Sequence, residues 1–340
     1  MSSADTQVVG GRSEPAGTSE RVSSGASLGE LAGRLRRFGR RRRGPITVVG
    51  TVATAAVLVW LLSSRRDEFV DALSSAELWV LAATVLLQIG ALVSRSEAWH
   101  LTIQAAGGSV GRRVLYRASS MQVLGSVING QLGVAARIAA LRHSSPEVCP
   151  QVPTLIAAEV PILSVEAALV VLASFTLVAP LGLPWWLPLI GLPLIALASA
   201  GLRHLALRKG REVWRGLAVL RSRRGGTLVV GFVLLAVFGQ ILRNWLLLGA
   251  VGVDASFFDA IAVLIAVVTL GQLPVGPSVG AAAAVLILGS DGVAAAAAAG
   301  VLMTVTGTVG GLCFAAWAGA DRLWSRSRWA LGRAHARRLR

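Results

Sequence analysis

Residues 123–137 read VLGSVINGQLGVAAR, and residues 270–281 read LGQLPVGPSVGA. Both stretches lie in strongly apolar surroundings, yet both carry Gly and Pro at a density that no ordinary membrane-spanning helix needs. How these two breaks are read decides how many times the chain crosses a membrane.

The surroundings are those of an integral membrane protein. Of the 340 residues, 54% are apolar and 15% charged, and the mean hydropathy is +0.67. Soluble domains carry periodic apolar positions rather than continuous apolar runs. The net charge of +16 is almost all arginine, Lys209 being the only lysine. These basic residues fall between apolar spans rather than on one periodic face, which favours membrane topology over nucleic-acid binding. Cys149 and Cys313 are far apart and have no CxxC spacing, so neither a disulfide framework nor a zinc site is indicated.

Residues 1–44 are rich in Ser, Gly, Glu and Arg, show no apolar periodicity and read as a disordered basic arm. Seven arginines in 34–43 precede the apolar run 46–62, which reads as an uncleaved signal-anchor. A span needs about 20 apolar residues. The candidates are 46–62, 78–104, 152–178, 184–202, 227–249 and 293–319, which makes six crossings. The transmembrane domain then covers 45–320, and 321–340 is a basic tail. Loops 105–117 and 203–224, the arm and the tail are all basic, so the positive-inside rule places them in the cytoplasm and the domain in the cytoplasmic membrane. The opposite loops are acidic or balanced, with Asp67, Glu68, Asp71, Glu77, Asp254 and Asp291.

That count holds only if the two broken stretches do not cross. Segment 118–142 leaves and returns on the basic side, and segment 257–289 leaves and returns on the other, so each reads as a re-entrant helical hairpin. Non-helical backbone at membrane depth is tolerated where protein or a water-filled cavity surrounds it. Gly130-Gln131-Leu132 recurs as Gly271-Gln272-Leu273, and the same offset carries 152–178 onto 293–319. The expected fold is an all-α polytopic membrane protein with six spans and two re-entrant hairpins, arranged as an inverted repeat of units 78–178 and 227–319. Transporters with such repeats hold substrate near the midplane, where helix termini face an anion. Each hairpin arm has about a dozen residues, or roughly 18 Å of helix, enough to reach the middle of a ~30 Å core and not to cross it. The tips 129–133 and 274–280 are therefore expected to meet near the midplane beside Arg137 and Glu159.

Charged side chains within spans cost on the order of 2.5 to 3.5 kcal/mol each and call for a role. Arg137 follows the first break, Glu159 and Glu166 lie seven apart on one helix face, and Arg243 lies in the span 227–249. Arg137 would hold a lipid phosphate and Glu159 would pair with it or carry a proton. Arg243 and Glu166 could instead reach the outer interface, and Arg95, Glu97 and His100 read as interfacial. Pro161, between the two glutamates, would kink their helix. Gln122, Ser126, Asn129, Gln131, Gln272 and Ser278 at the hairpins would bind a head group or satisfy the freed backbone. Gly133, Gly280, Pro274 and Pro277 would allow close approach and leave carbonyls facing a cavity. The Gly-rich stretch 300–311 fits close helix packing. There is no GxSxG, HExxH or Walker motif, and the four histidines are scattered. With only residues 321–340 after the last span, no enzyme domain, cofactor or metal is expected.

The order of spans, with NGQLGVAAR before a span containing Glu159 and LPVGPSVG before an Ala-rich helix, resembles the lysylphosphatidylglycerol synthase transmembrane-region family, also called flippase-like, over residues 46–320. Gly133, Arg137, Glu159, Pro274, Pro277 and Gly280 match its motifs. The family's acidic residue after the first Gly is Val134 here, its Pro falls on Asn129, and the Arg beside its Glu is Val160. The resemblance implies movement of a lipid, anionic or polyprenyl-linked, across the bilayer, without the synthase chemistry. A scaffold or lipid-binding subunit of cell-envelope assembly is the competing class, and a channel a weaker third. No protein partner is implied.

Overall fold

In the computed structural model, residues 56, 57, 60, 63–126, 130–207, 212–271, 279–289 and 292–338 are described, with the backbone alone at 130, 131, 212, 213 and 321–338. Among them are eleven α-helices and no strands. The span expected at 46–62 lies almost wholly outside the described residues. In order, the helices are α1 Arg66–Ser74, α2 Leu78–Ala105, α3 Arg112–Ser126, α4 Gly130–Ser144, α5 Val152–Ala173, α6 Val178–Leu181, α7 Leu187–Leu207, α8 Arg223–Ala250, α9 Phe257–Leu270, α10 Val279–Leu288 and α11 Val293–Arg338. Five stretches are long and apolar enough to cross a membrane: α2, the run Val152–Leu181, α7, α8 and the first 28 residues of α11. Each half of the chain thus presents a long helix, two short ones and a long one, with α7 between the halves.

Local chemistry sets these boundaries. Helix α2 stops at Gly107, whose φ of 92° belongs to the left-handed region that favours Gly, and the Gly108 N–H donates back to the Ile103 carbonyl at 3.0 Å. Helix α8 stops in the same way, with Gly252 at φ 78° and the Val253 N–H on the Leu248 carbonyl at 3.1 Å. At its start, the Ser222 side chain accepts from the Gly225 N–H, and α9 opens with a capping box between Ser256 and Asp259. Helix α5 runs unbroken through Pro161.

The order of contacts fixes the direction of each long helix. Ser75 Oγ, just before α2, donates to the carbonyl of Ala250 at the end of α8 at 3.0 Å. Gln88 meets Gln240 at mid-helix, and Trp99 and Ile103 share a core with Val229 and Val233. Helices α2 and α8 are therefore antiparallel. One end of the bundle carries Arg112 and the other Asp254. Helix α5 leaves the Arg112 end, where the Val148 carbonyl accepts from the Ser109 N–H at 3.3 Å. Its run ends at the Asp254 end, where Phe175 meets Phe258. Helix α7 returns, its Ala206 carbonyl accepting from Arg221 Nε at 2.6 Å. Helix α11 starts in the Asp254-end core with Ala296 and Ala299 and reaches the Arg112 end, where Phe314 and Trp317 pack on Tyr116.

Both broken segments return to the end they leave. Helices α3 and α4 form one hairpin, with Arg112 by Glu97 at 3.4 Å and the exit loop bonded to Ser109. Helices α9 and α10 form the other, starting where Trp245 Nε1 donates to the Ala255 carbonyl at 3.2 Å and leading to Gly292 at the foot of α11. Their arms are 15 and 15 residues, then 14 and 10.

Helix α11 is the centre of the fold. Its most apolar window is 56% buried, against 11–22% in the other four spans, whose large side chains such as Leu86, Leu197 and Leu235 face outward. Because lipid is as apolar as leucine, close packing through small residues holds such helices together. A Cβ added at Gly280 would lie 2.6 Å from the Gly300 carbonyl oxygen, and one at Gly310 would lie 2.7 Å from Gln88 Cγ. One at Gly311 would collide with Val123 of the first hairpin. The Gly-rich stretch 300–311 is thus a packing surface.

The segment between α7 and α8, expected as a basic loop, contains a 3₁₀ helix over Glu212–Arg221. Its Leu217 and Val219 are buried, and Gly216 sits against the Thr154 carbonyl.

Candidate functional site

Helix α5 presents Glu159 and Glu166 on one face, and each takes an arginine from a different helix. Arg137 of α4 pairs with Glu159, the side chains being 1% and 8% exposed, and its guanidinium carbon lies 3.8 Å from the centroid of the Trp99 ring. Arg95 of α2 pairs with Glu166. This second pair links α2 to α5 and is only half-buried, with side chains 34% and 24% exposed. Glu97 accepts from the Tyr116 hydroxyl and lies beside Arg112, and His100 is buried, its Nε2 accepting from Gln104 at 2.9 Å. These groups stitch α2, α3, α4 and α5 together toward the Arg112 end.

A different arrangement occupies the middle of the bundle. Arg243 of α8 is 8% exposed, and its Nη1 donates to Gln88 Oε1 of α2. That oxygen also accepts from Gln240 Nε2 at 2.8 Å. Nη2 reaches only Asn244 Oδ1, at 3.5 Å, and Nε is buried without a hydrogen-bond partner. Facing the guanidinium, Gly307 lies at the midpoint of the α11 span Val293–Ala320, and a Cβ there would sit 3.2 Å from Nη1. Instead of reaching the outer interface, Arg243 points inward. On α11 it sits between the contact of the second hairpin, at Gly300 and Thr304, and that of the first, at Gly311.

Gly133 and Gly280 are hairpin packing positions. A Cβ at Gly133 would lie 2.6 Å from the Gln122 carbonyl, and one at Gly125 would lie 2.9 Å from the Gly133 Cα, so α3 and α4 touch backbone to backbone. Ser126 Oγ donates to the Val123 carbonyl at 2.8 Å and so serves the local backbone. Asn129, Gln272, Pro274, Pro277, Ser278 and the side chain of Gln131 lie outside the described residues, and with them the expected meeting of the tips. Arg137 and Glu159 stand at the level of Trp99, eleven residues or about 16 Å along α2 from Gln88. They are thus displaced from the mid-bundle level toward the Arg112 end. Gln88 and Gln240, which complete the Arg243 cluster, were legible only as lone amides inside apolar runs.

At the Arg112 end a polar crevice of about 360 Å³ is lined by Ser109, Glu147, Cys149, Gln151, Thr154 and Arg215 among others. Burial pushes the Cys149 thiol above its usual pKa. No group of His, Cys, Asp and Glu among the described residues could hold a metal ion.

These elements define an all-helical, multi-pass membrane protein with two hairpins that reach its central helix from opposite ends. No protein-family model matches the chain, and no curated protein matches it.

Proposed function

We propose that this chain is a flippase-like transporter of the cytoplasmic membrane, not an enzyme, that moves a lipid or lipid-linked substrate between leaflets. In this reading its two halves form an inverted repeat, both termini lie in the cytoplasm, and the resemblance to the lysylphosphatidylglycerol synthase transmembrane region reflects common descent. One observation carries the proposal: hairpins from opposite ends converge on α11 on either side of a buried arginine. That is the layout in which broken helices frame a mid-membrane site. The test is reconstitution of the full chain in liposomes with head-group-labelled phosphatidylglycerol, read by quenching from outside. Accelerated loss of protected label supports transport. Rates equal to protein-free liposomes, with correctly folded protein, overturn it.

The competing reading is a non-transporting scaffold or lipid-binding subunit of envelope assembly. It is favoured by Val134 and Val160, which stand where the family carries charge, and by the closed Arg137–Glu159 pair, which leaves Arg137 no spare charge for a phosphate. Recovery of a reproducible protein partner with only bulk lipid would favour it.

A further inference from the structure

Three arginines make polar contacts between helices, and two of them carry their own carboxylate: half-buried Arg95 has Glu166 and buried Arg137 has Glu159. Arg243 is the exception, because among the described residues no carboxylate pairs with it. An uncompensated guanidinium at membrane depth is costly, and neutral amide oxygens offset only part of that cost.

Two amide oxygens, Gln88 Oε1 and Asn244 Oδ1, face the guanidinium, and neither carries a negative charge. Gln88 Oε1 must face Arg243, since a guanidinium has no acceptor, and it is already shared between Arg243 Nη1 and Gln240 Nε2. The Gln88 amide NH₂ and the second Gln240 N–H are further donors beside it, and the Arg243 Nε–H is buried without a partner. Gly307 leaves the space in which the guanidinium lies. Gln88 and Gln240 are only half-buried, so the cluster is open at that edge.

We propose that Arg243, Gln88 and Gln240 form a mid-span binding site for one phosphate-type oxyanion, with Gly307 making room for the guanidinium. This rests on, and deepens, the transporter reading. A planar guanidinium matches two phosphate oxygens in parallel hydrogen bonds. Its single positive charge balances the single negative charge of a phosphodiester.

The experiment uses the purified full chain in neutral detergent, read by thermal shift and native mass spectrometry. Three probes are added: phosphatidylglycerol, phosphate-free monogalactosyl diacylglycerol and inorganic phosphate. Phosphatidylglycerol is expected to raise the wild-type Tm by several degrees as it saturates, and the phosphate-free lipid to leave it unchanged. Arg243→Gln should weaken phosphatidylglycerol binding at least tenfold, and Arg243→Lys should retain part of it. Gly307→Val, which keeps the charge and crowds the guanidinium, gives an independent variant expected to lose binding if Arg243→Gln fails to fold. Equal response to both lipids, no response to either phosphate probe, or full binding in both Arg243→Gln and Gly307→Val overturns the site. Binding of inorganic phosphate but not of the phospholipid keeps the site and removes the lipid from the transporter reading. Phospholipid binding without translocation in liposomes keeps the site and removes the transport.

Discussion

Arg137 and Glu159 neutralise one another inside the protein, with the guanidinium laid on the face of Trp99. Removing one partner from such a pair leaves a buried charge alone and costs about 3–5 kcal/mol, whereas an apolar replacement of both costs far less. Glu159→Leu and Arg137→Met should each lower the Tm of the detergent-solubilised protein by roughly 10 °C. The double variant should recover most of that loss. Additive losses in the cycle would show that the two side chains do not depend on each other.

Glycine replacements separate packing from exposure. Gly300→Ala would press its Cβ into the backbone of Ala281, and Gly133→Ala would press on the Gln122 carbonyl, whereas Gly90 has nothing within 4 Å of such a Cβ. The first two should cost about 1–3 kcal/mol through forced shifts. Gly90→Ala should be neutral or stabilising, because alanine loses less chain entropy in a helix. A scan in which all three behave alike would contradict the close helix crossings.

Cys149 offers a pH readout. Burial favours the neutral thiol and holds its pKa above the usual value, and the thiolate is the reactive form. In a Cys313→Ala background, maleimide labelling of Cys149 should be slow at neutral pH and should still be climbing where an exposed thiol has levelled off. A rate that levels off with a free-cysteine standard would place the thiol in water.

Membrane sidedness follows from the hairpins. Single cysteines at 112 and 145 should label from the same face, and those at 70 and 254 from the opposite one, with an impermeant reagent on intact cells and inverted vesicles. Labelling of 112 and 145 from different faces would turn the first hairpin into a crossing.

The long helices were legible because continuous apolar runs need no tertiary context, and the hairpins because Gly and Pro interrupt those runs. The Arg137–Glu159 pair was legible too, as opposite charges at similar depth have few other partners. The partners of two other charges were not legible, for one reason. Arg95 closes an apolar run and so reads as interfacial, and Arg243 lies near enough to a span end to suggest the same. The partners are Glu166 in one case and Gln88 in the other, 71 and 155 residues away in sequence. The 3₁₀ segment over Glu212–Arg221 was hidden because its charges mask Leu217 and Val219, whose burial depends on the neighbouring start of α5.

Helix α11 meets the second hairpin at Gly300, Arg243 at Gly307, Gln88 at Gly310 and the first hairpin at Gly311. In mechanical terms, one rod serves as the shared rail of two carriages. A slide of the rod by one helical turn, about 5.4 Å, would carry the glycine notch at Gly300 away from the second hairpin and that at Gly311 away from the first at once. Displacing this rail would therefore disturb the seats of both hairpins together.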